Sequence, residues 1–410
     1  MDYKIERKRI EWLLEQLYLF FAGIYVLYFF IGTTMFVIEW PALFFENLQI
    51  LLSVLTFARI AYSEKYNNKE LMLFVLVSLS FLMLWKRNEL GEIVNILVLI
   101  IGAKGISWRK MLKLYWLITT IALVVTVVAA LTGNVENLIY YQEGRRARIS
   151  FGIIYPTDFS AHIFYSALIY CYLRGEKIRY IELGFVAVLG IFVYIFCEAR
   201  LNTICIMAVF CVFFYHKQRC RSAYKQNRIY EMNSFLSWLL AMSTIFCAVV
   251  SVLGTMYYDS QNRVFDFLNG LLNGRLKLGK KAIDLYGFSI SGQYIPTNGN
   301  GGRTKKILYY FFIDNSYVSI VLKLGIVLFA IILLMFLVIA FRARREKDWT
   351  MLWMIALMSV QCIIEHHILD VAYCPIIIAL FANTRITDSD LKVWVKNIFA
   401  RRNSRLCVKK

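Results

Sequence analysis

The sequence has no Walker A loop, GxGxxG turn, HExxH helix or GxSxG elbow. The usual signatures of nucleotide hydrolysis, dinucleotide binding, zinc proteolysis and serine hydrolysis are therefore missing. Its nine cysteines form no CxxC pair: Cys171, Cys197, Cys205, Cys211, Cys247, Cys362 and Cys374 lie in apolar runs, Cys220 and Cys407 in basic segments. That distribution excludes a disulfide framework or a thiolate metal site. No fixed-period repeat is visible. Charged residues are scarce at 18%, against 60% apolar and 16% aromatic. An ordinary soluble domain is excluded, because runs of about 20 apolar residues recur along the chain and each can cross a bilayer core of about 30 Å.

What remains is a polytopic membrane protein. The polar start, Met1 to Glu11, carries four basic residues and precedes an apolar run too long, and without the small-residue site, for a cleaved signal. The hydropathy predicts an all-α chain of about twelve spans, at 17–38, 42–62, 70–85, 90–103, 112–132, 154–173, 180–198, 200–216, 235–257, 314–341, 349–367 and 369–384. With the N-terminus inside, the inner segments hold 30 Lys or Arg and the outer ones 14, while Arg59 and Lys323 fall within spans. The positive-inside rule then puts both termini in the cytoplasm. The chain divides into helices one to nine (1–257), a long outer loop (258–313), helices ten to twelve (314–384) and a basic tail (385–410). That tail, with Arg401, Arg402, Arg405, Lys409 and Lys410, reads as a topological anchor near anionic headgroups.

The outer loop is unusual. Val264, Phe267, Leu268, Leu271 and Leu272 are helix-spaced, which suggests a helix lying on the membrane or capping the bundle. Gly287, Gly292, Gly299, Gly301 and Gly302 suggest a mobile flap after it. Positive-inside logic does not account for its charge: eight basic residues (Arg263, Arg275, Lys277, Lys280, Lys281, Arg303, Lys305, Lys306) oppose three acidic ones (Asp259, Asp266, Asp284), a net +5. Arg145, Arg146 and Arg148 add to this face before span six, and Arg200 stands at the turn between spans seven and eight. An arginine fork binds phosphate oxygens through paired hydrogen bonds and never deprotonates, so an anionic ligand such as a diphosphate is expected here. Lys277, Lys280 and Lys281 read instead as a solvated face near lipid headgroups. Arg148 and Arg200 adjoin span ends, where a charge needs a partner.

Polar residues within spans are further candidates. Asp158 and His162, four apart, share a helix face and can pair. Lys323, nine residues into span ten, should meet a carboxylate or a wet cavity, and Arg59 should snorkel to the interface. Glu365, His366, His367 and Asp370 cluster at the outer end of span eleven. Adjacent helical histidines point about 100° apart, which counts against a metal site.

The order of Arg148-Ile149-Ser150-Phe151-Gly152 with Pro156, of Glu198-Ala199-Arg200, of the long loop, and of Asp314-Asn315-Ser316-Tyr317-Val318 leading to Gly325 resembles the bacterial O-antigen polymerase and O-antigen ligase superfamily. The Wzy-type capsule and exopolysaccharide polymerases are its nearest part. The motifs span about residues 145–325; each is short, and their order and common sidedness carry the likeness. The resemblance implies a GT-C-like bundle in the bacterial plasma membrane that transfers glycans from undecaprenyl diphosphate at the outer face. It implies no nucleotide sugar, metal or other cofactor. Arg148 and Arg200 match arginines that hold the donor diphosphate, Arg275 a further loop arginine, and Gly292 a glycine turn late in the loop. Where ligases carry His-Asn, this chain has Asp314-Asn315, which favours a polymerase.

The expected reaction moves a growing glycan to the terminal hydroxyl of the next lipid-linked repeat. Asp314 would accept the hydroxyl proton or act only as a helix cap, with His366 or His367 as substitutes; the helix dipole should favour its ionised form. Arg146, Arg303, Asn315 and Tyr317 are further expected substrate contacts. The expected partners are undecaprenyl-diphosphate-linked oligosaccharide, membrane lipid, and the flippase and chain-length regulator of the same pathway, with no nucleic acid. A ligase-like transferase and a lipid-linked oligosaccharide flippase are the rival readings. Against the flippase, the longest loop is not at a pseudo-symmetric middle.

Overall fold

The computed structural model describes residues 2–62, 91–141, 144, 146–304 and 310–385, together with positions 72, 75 and 78. Most of the third expected span, Arg145, Lys305, Lys306 and the tail after Arg385 lie outside the described residues. The fold is 69% helix and 3% strand. In chain order the helices are α1 (Asp2–Gly32), α2 (Phe44–Tyr62), α3 (Gly91–Gly102), α4 (Trp108–Leu131), α5 (Pro156–Arg174), α6 (Tyr180–Phe192), α7 (Arg200–Lys225), α8 (Ser234–Ala241), α9 (Ser243–Met256), α10 (Arg263–Leu271), α11 (Arg275–Tyr286), α12 (Ser316–Lys323), α13 (Ile326–Arg345) and α14 (Trp349–Gln361). A two-stranded hairpin, β1 (Ile139–Tyr140) with β2 (Arg148–Ile149), precedes α5 and pairs Tyr140 with Arg148.

Five of these stretches are long and apolar enough to cross a membrane: Arg9–Gly32, Trp108–Leu131, Tyr180–Cys197, Arg200–Lys225 and Ile326–Arg345. The pair α8 and α9, bent by 50°, makes a sixth if counted as one span. Their outer faces are apolar and exposed, as with Ile121, Val124 and Val128 on α4 and Ile181, Phe185 and Val188 on α6. Such faces are at home in lipid, not water. Helix α5 is different. From Phe159 to Tyr172 nearly every side chain is buried, the pattern of a helix that neighbours enclose on all sides. It packs on α4, α7 and α14 and carries Asp158 and His162 into the centre.

Two expected spans are corrected. The tenth, 314–341, is broken: α12 ends at Lys323, and Gly325 (φ 87°) turns the chain into α13. Residues Ser289–Gln293 cross at that break, with Gln293 N donating to Lys323 O at 3.0 Å and Ile326 N to Ser289 O at 3.0 Å. Gly292 (φ 83°) is required there, since a Cβ would stand 2.5 Å from the Lys323 carbonyl. The twelfth span, 369–384, is not an α-helix. Pro375 lacks the N–H a helix needs, and the chain makes turns and one short 3-10 turn, Ile376–Leu380, whose side chains are all buried. Arg342 donates to the carbonyls of Ala379 and Leu380, so tertiary contacts satisfy backbone that a helix would satisfy itself.

One end of the bundle gathers the end of α1, the hairpin, the start of α5, the α6–α7 turn, α10, α11 and the segment after α14. Thr34 bridges Ile153, Arg303 donates to Thr34 O, and Ser316 N donates to Cys362 O. We call this the loop end. The Gly-rich stretch 287–304 is strapped across it, pinned to α12 and α13 and, through Arg303, to α1; the expected free flap is not what these contacts make.

Candidate functional site

Asp314 lies just before α12. Its neighbour Asn315 caps the helix, accepting from Tyr317 N at 3.0 Å and Val318 N at 3.2 Å, so the capping role expected of Asp314 falls to Asn315 and the Asp314 carboxylate is turned elsewhere. It faces Arg275, the first residue of α11, at 3.6 Å. The same guanidinium reaches Glu365 Oε1 at 3.4 Å and donates to Ile364 O at 2.6 Å. Glu365 also accepts from Asn202 Nδ2 at 2.9 Å, and Asn202 donates to Thr157 O. Elements more than 150 residues apart thus meet at two carboxylates and one arginine. Glu365 is buried and Asp314 partly buried, so the one guanidinium between them is the cation that offsets both carboxylates.

Behind this pair lies an imidazole clamp. His367 Nε2 is 3.7 Å from Asp158 Oδ1, and its Nδ1 is 3.7 Å from Asp370 Oδ2. At these distances the ring lies between the two carboxylates without a direct hydrogen bond to either. Asp158 was expected to pair with His162 on its own helix. That is corrected: His162 meets Thr33 Oγ1 at 2.9 Å instead, and Asp158 reaches across to His367. Rings stack from His162 to Tyr373 (4.0 Å) and from Tyr373 to His367 (3.7 Å), while His366 lies tilted against His367 (4.3 Å) and edge-on to Phe312 (4.9 Å). His366 Nδ1 has no hydrogen-bond partner among the described residues. Lys323 lies 6.0 Å from the Phe312 ring.

The two expected anion-holding arginines share a turn. After α6 the chain forms a π-turn, Val193–Cys197, and Glu198 adopts a left-handed φ of 47°. A non-glycine residue held there carries strain that clusters at functional sites. Arg148 Nε donates to Cys197 O at 3.1 Å, and Arg200 Nη2 to Glu198 Oε1 at 2.7 Å. The Arg200 side chain is 56% exposed although its partner carboxylate is 3% exposed. Two residues on, Asn202 connects this turn to Glu365. Arg146 lies over the Tyr194 ring at 5.3 Å and donates to Tyr194 O.

The other expected substrate contacts have partners within the fold. Arg275 is 9% exposed and enclosed by acids and carbonyls, so it organises the site from inside. Arg303 spends its guanidinium on the carbonyls of Ile31, Gly32, Thr34 and Phe36, closing the end of α1. Arg59, expected at the interface, does the same for α3 through the carbonyls of Gly102 and Lys104. Tyr317 is fully buried and donates to Ser359 O. Gly292 serves the crossing described above.

Glu365, His366 and His367 each offer a ligand atom, all within 4.8 Å of one another. Arg275 is already 3.4 Å from that glutamate, and a metal cation beside it would be repelled. A small cavity adjoins His162 and Tyr373 and is lined by the hydroxyl-bearing Tyr115, Thr119, Tyr165 and Ser166, while a second, apolar one lies between α1 and α4, away from the cluster. The site is a cation-bearing exposed turn leading into a buried acid, arginine and histidine network. No protein-family model, curated protein or solved structure matches this chain.

Proposed function

We propose that this chain is a glycan polymerase of the bacterial plasma membrane that uses a polyprenyl-diphosphate-linked donor, as members of the O-antigen polymerase superfamily do. In this reading the chain passes about twelve times through the bilayer, the last passage being the irregular stretch after α14, with the loop end outside and both termini in the cytoplasm. One observation carries the proposal: Arg148 and Arg200 are anchored on a single strained turn, which Asn202 joins to Glu365, Arg275 and Asp314.

The chemistry follows from that placement. The acceptor hydroxyl oxygen forms a bond to the donor's anomeric carbon, the bond from that carbon to the diphosphate breaks, and the hydroxyl proton moves to a base. Negative charge grows on the departing diphosphate, where Arg200, with the N-terminal dipole of the 26-residue α7, stabilises it more in the transition state than before. Asp314, held 3.6 Å from Arg275, is the carboxylate placed to accept the proton, and His366 is the substitute base. Arg275, itself held by Glu365, keeps Asp314 in place.

The test is intact mass analysis of lipid-linked glycans in cells with and without the protein. A ladder of repeats that collapses to single repeats on loss of the protein supports polymerisation. Ladders that persist on the lipid but fail to reach a final acceptor would indicate a ligase, and repeats trapped on the inner leaflet a flippase.

A further inference from the structure

Helix α10 buries none of its residues. Val264, Phe267, Leu268 and Leu271, spaced as one helix face, are 67%, 66%, 39% and 53% exposed. Arg263, Asp266 and Asn269 lie on the other side. A helix this amphipathic is stable in the plane of a membrane surface, its apolar face sunk about 5–10 Å toward the acyl chains. Two features select lipid as the occupant. Span α9 shows lipid an apolar face of Phe246, Val249, Val250 and Leu253 that leads to exposed Tyr257, and Tyr258 meets Phe265 edge-on at 6.1 Å, which ties α10 to the end of that span. Exposed Arg263 and Lys277 border the helix, as anionic headgroups require.

We propose that α10 is seated in the headgroup layer of an anionic bilayer and that this seat positions Arg275. The link is direct. Asn269 Oδ1 accepts from Lys277 N at 3.0 Å, and Leu272 O accepts from Arg275 Nη1 at 3.3 Å. The polar side and the end of α10 thus grip the first turn of α11, whose first residue stands between Asp314 and Glu365. The lipid seat also explains why the capping alternative fails, since a helix capping the bundle would bury its apolar face.

The test needs no turnover, so its outcome is independent of the glycan reading. Full-length protein is placed in nanodiscs of phosphatidylcholine and phosphatidylglycerol with Phe267 replaced by a small fluorescent amino acid. The expected result is quenching by lipids brominated high on the acyl chain, with aqueous iodide quenching several-fold weaker than for the same fluorophore at exposed Gln261. Equal iodide quenching at both positions overturns the seat. A photoreactive residue at Leu271 should crosslink to lipid; crosslinking to a second copy or to another protein overturns it too. For the positioning half, Phe267→Glu with Leu271→Glu should speed hydrogen exchange in the first turn of α11 several-fold, with Asp266→Asn as the polar-face control. Unchanged exchange in the double variant overturns the positioning role.

Discussion

The two ends of the bundle use charge in opposite ways. At the loop end Arg275, Glu365 and His367 are 9%, 3% and 1% exposed and each has several partners. At the opposite end Lys347 pairs with Glu231 at 62% and 64% exposure, and Arg385 with Glu346 at 79% and 18%. Counted along the sequence, both ends are simply basic. What separates them is how far charge is withdrawn from water. An exposed ion pair contributes about 0–1 kcal/mol, whereas removing one member of a buried pair costs about 3–5 kcal/mol by leaving the other unpaired. The buried pairs of the loop end therefore carry organisation that these exposed pairs of the opposite end do not.

The largest expected effect follows from Arg275. Arg275→Met strands Asp314 and Glu365, and unfolding in detergent should show a loss of about 3–5 kcal/mol. Adding Glu365→Gln should recover part of it. A single variant as stable as the parent would show that the buried network does not hold the loop end together. Next come Arg148→Lys and Arg200→Lys, which keep the charge but lose the planar fork. Each should lower polymer formation about 10²- to 10³-fold, lipid-linked single repeats should accumulate, and the unfolding midpoint should stay near that of the parent. Unchanged polymer in both would remove the diphosphate clamp while leaving the comparison of stabilities intact.

His367 sharpens the contrast. Its ring is 1% exposed and stands 3.7 Å from both Asp158 and Asp370, so His367→Gln should lower stability in detergent by about 0.5–3 kcal/mol. A variant as stable as the parent would mean that the two aspartates gain nothing from the ring between them.

The apolar spans were legible because hydropathy reports the lipid-facing surface directly, and α1, α4, α6, α7 and α13 lie close to where the apolar runs place them. The 369–384 stretch misled because a buried irregular segment is as apolar as a helix, and only Pro375 hinted otherwise. At the site, Asp314, Arg275, His366 and the acidic cluster after α14 stood out as polar residues beside apolar runs, but their partnerships did not. Asp158 and His367 are 209 positions apart, and Asn202 carries no charge to attract notice. Arg275 and Arg303 stood out only as positive charge, because sequence does not show which carbonyls a guanidinium meets within the fold. Asp314 and Glu365, which meet Arg275, were the available signal that some of the basic charge would be used internally.

The smallest effect belongs at the far end. Lys347→Ala and Glu231→Ala remove partners that are each more than half exposed. Water already solvates both groups, and ordering two long side chains offsets much of their attraction. Each change should cost less than about 1 kcal/mol, and the pair's coupling in a double-mutant cycle should fade as salt shortens the screening length to about 3 Å at 1 M. The Arg275–Glu365 coupling, shielded from ions, should persist in the same salt. If the two couplings faded together, burial would not be what distinguishes the ends, and the loop-end network would have to be treated as one more set of surface pairs.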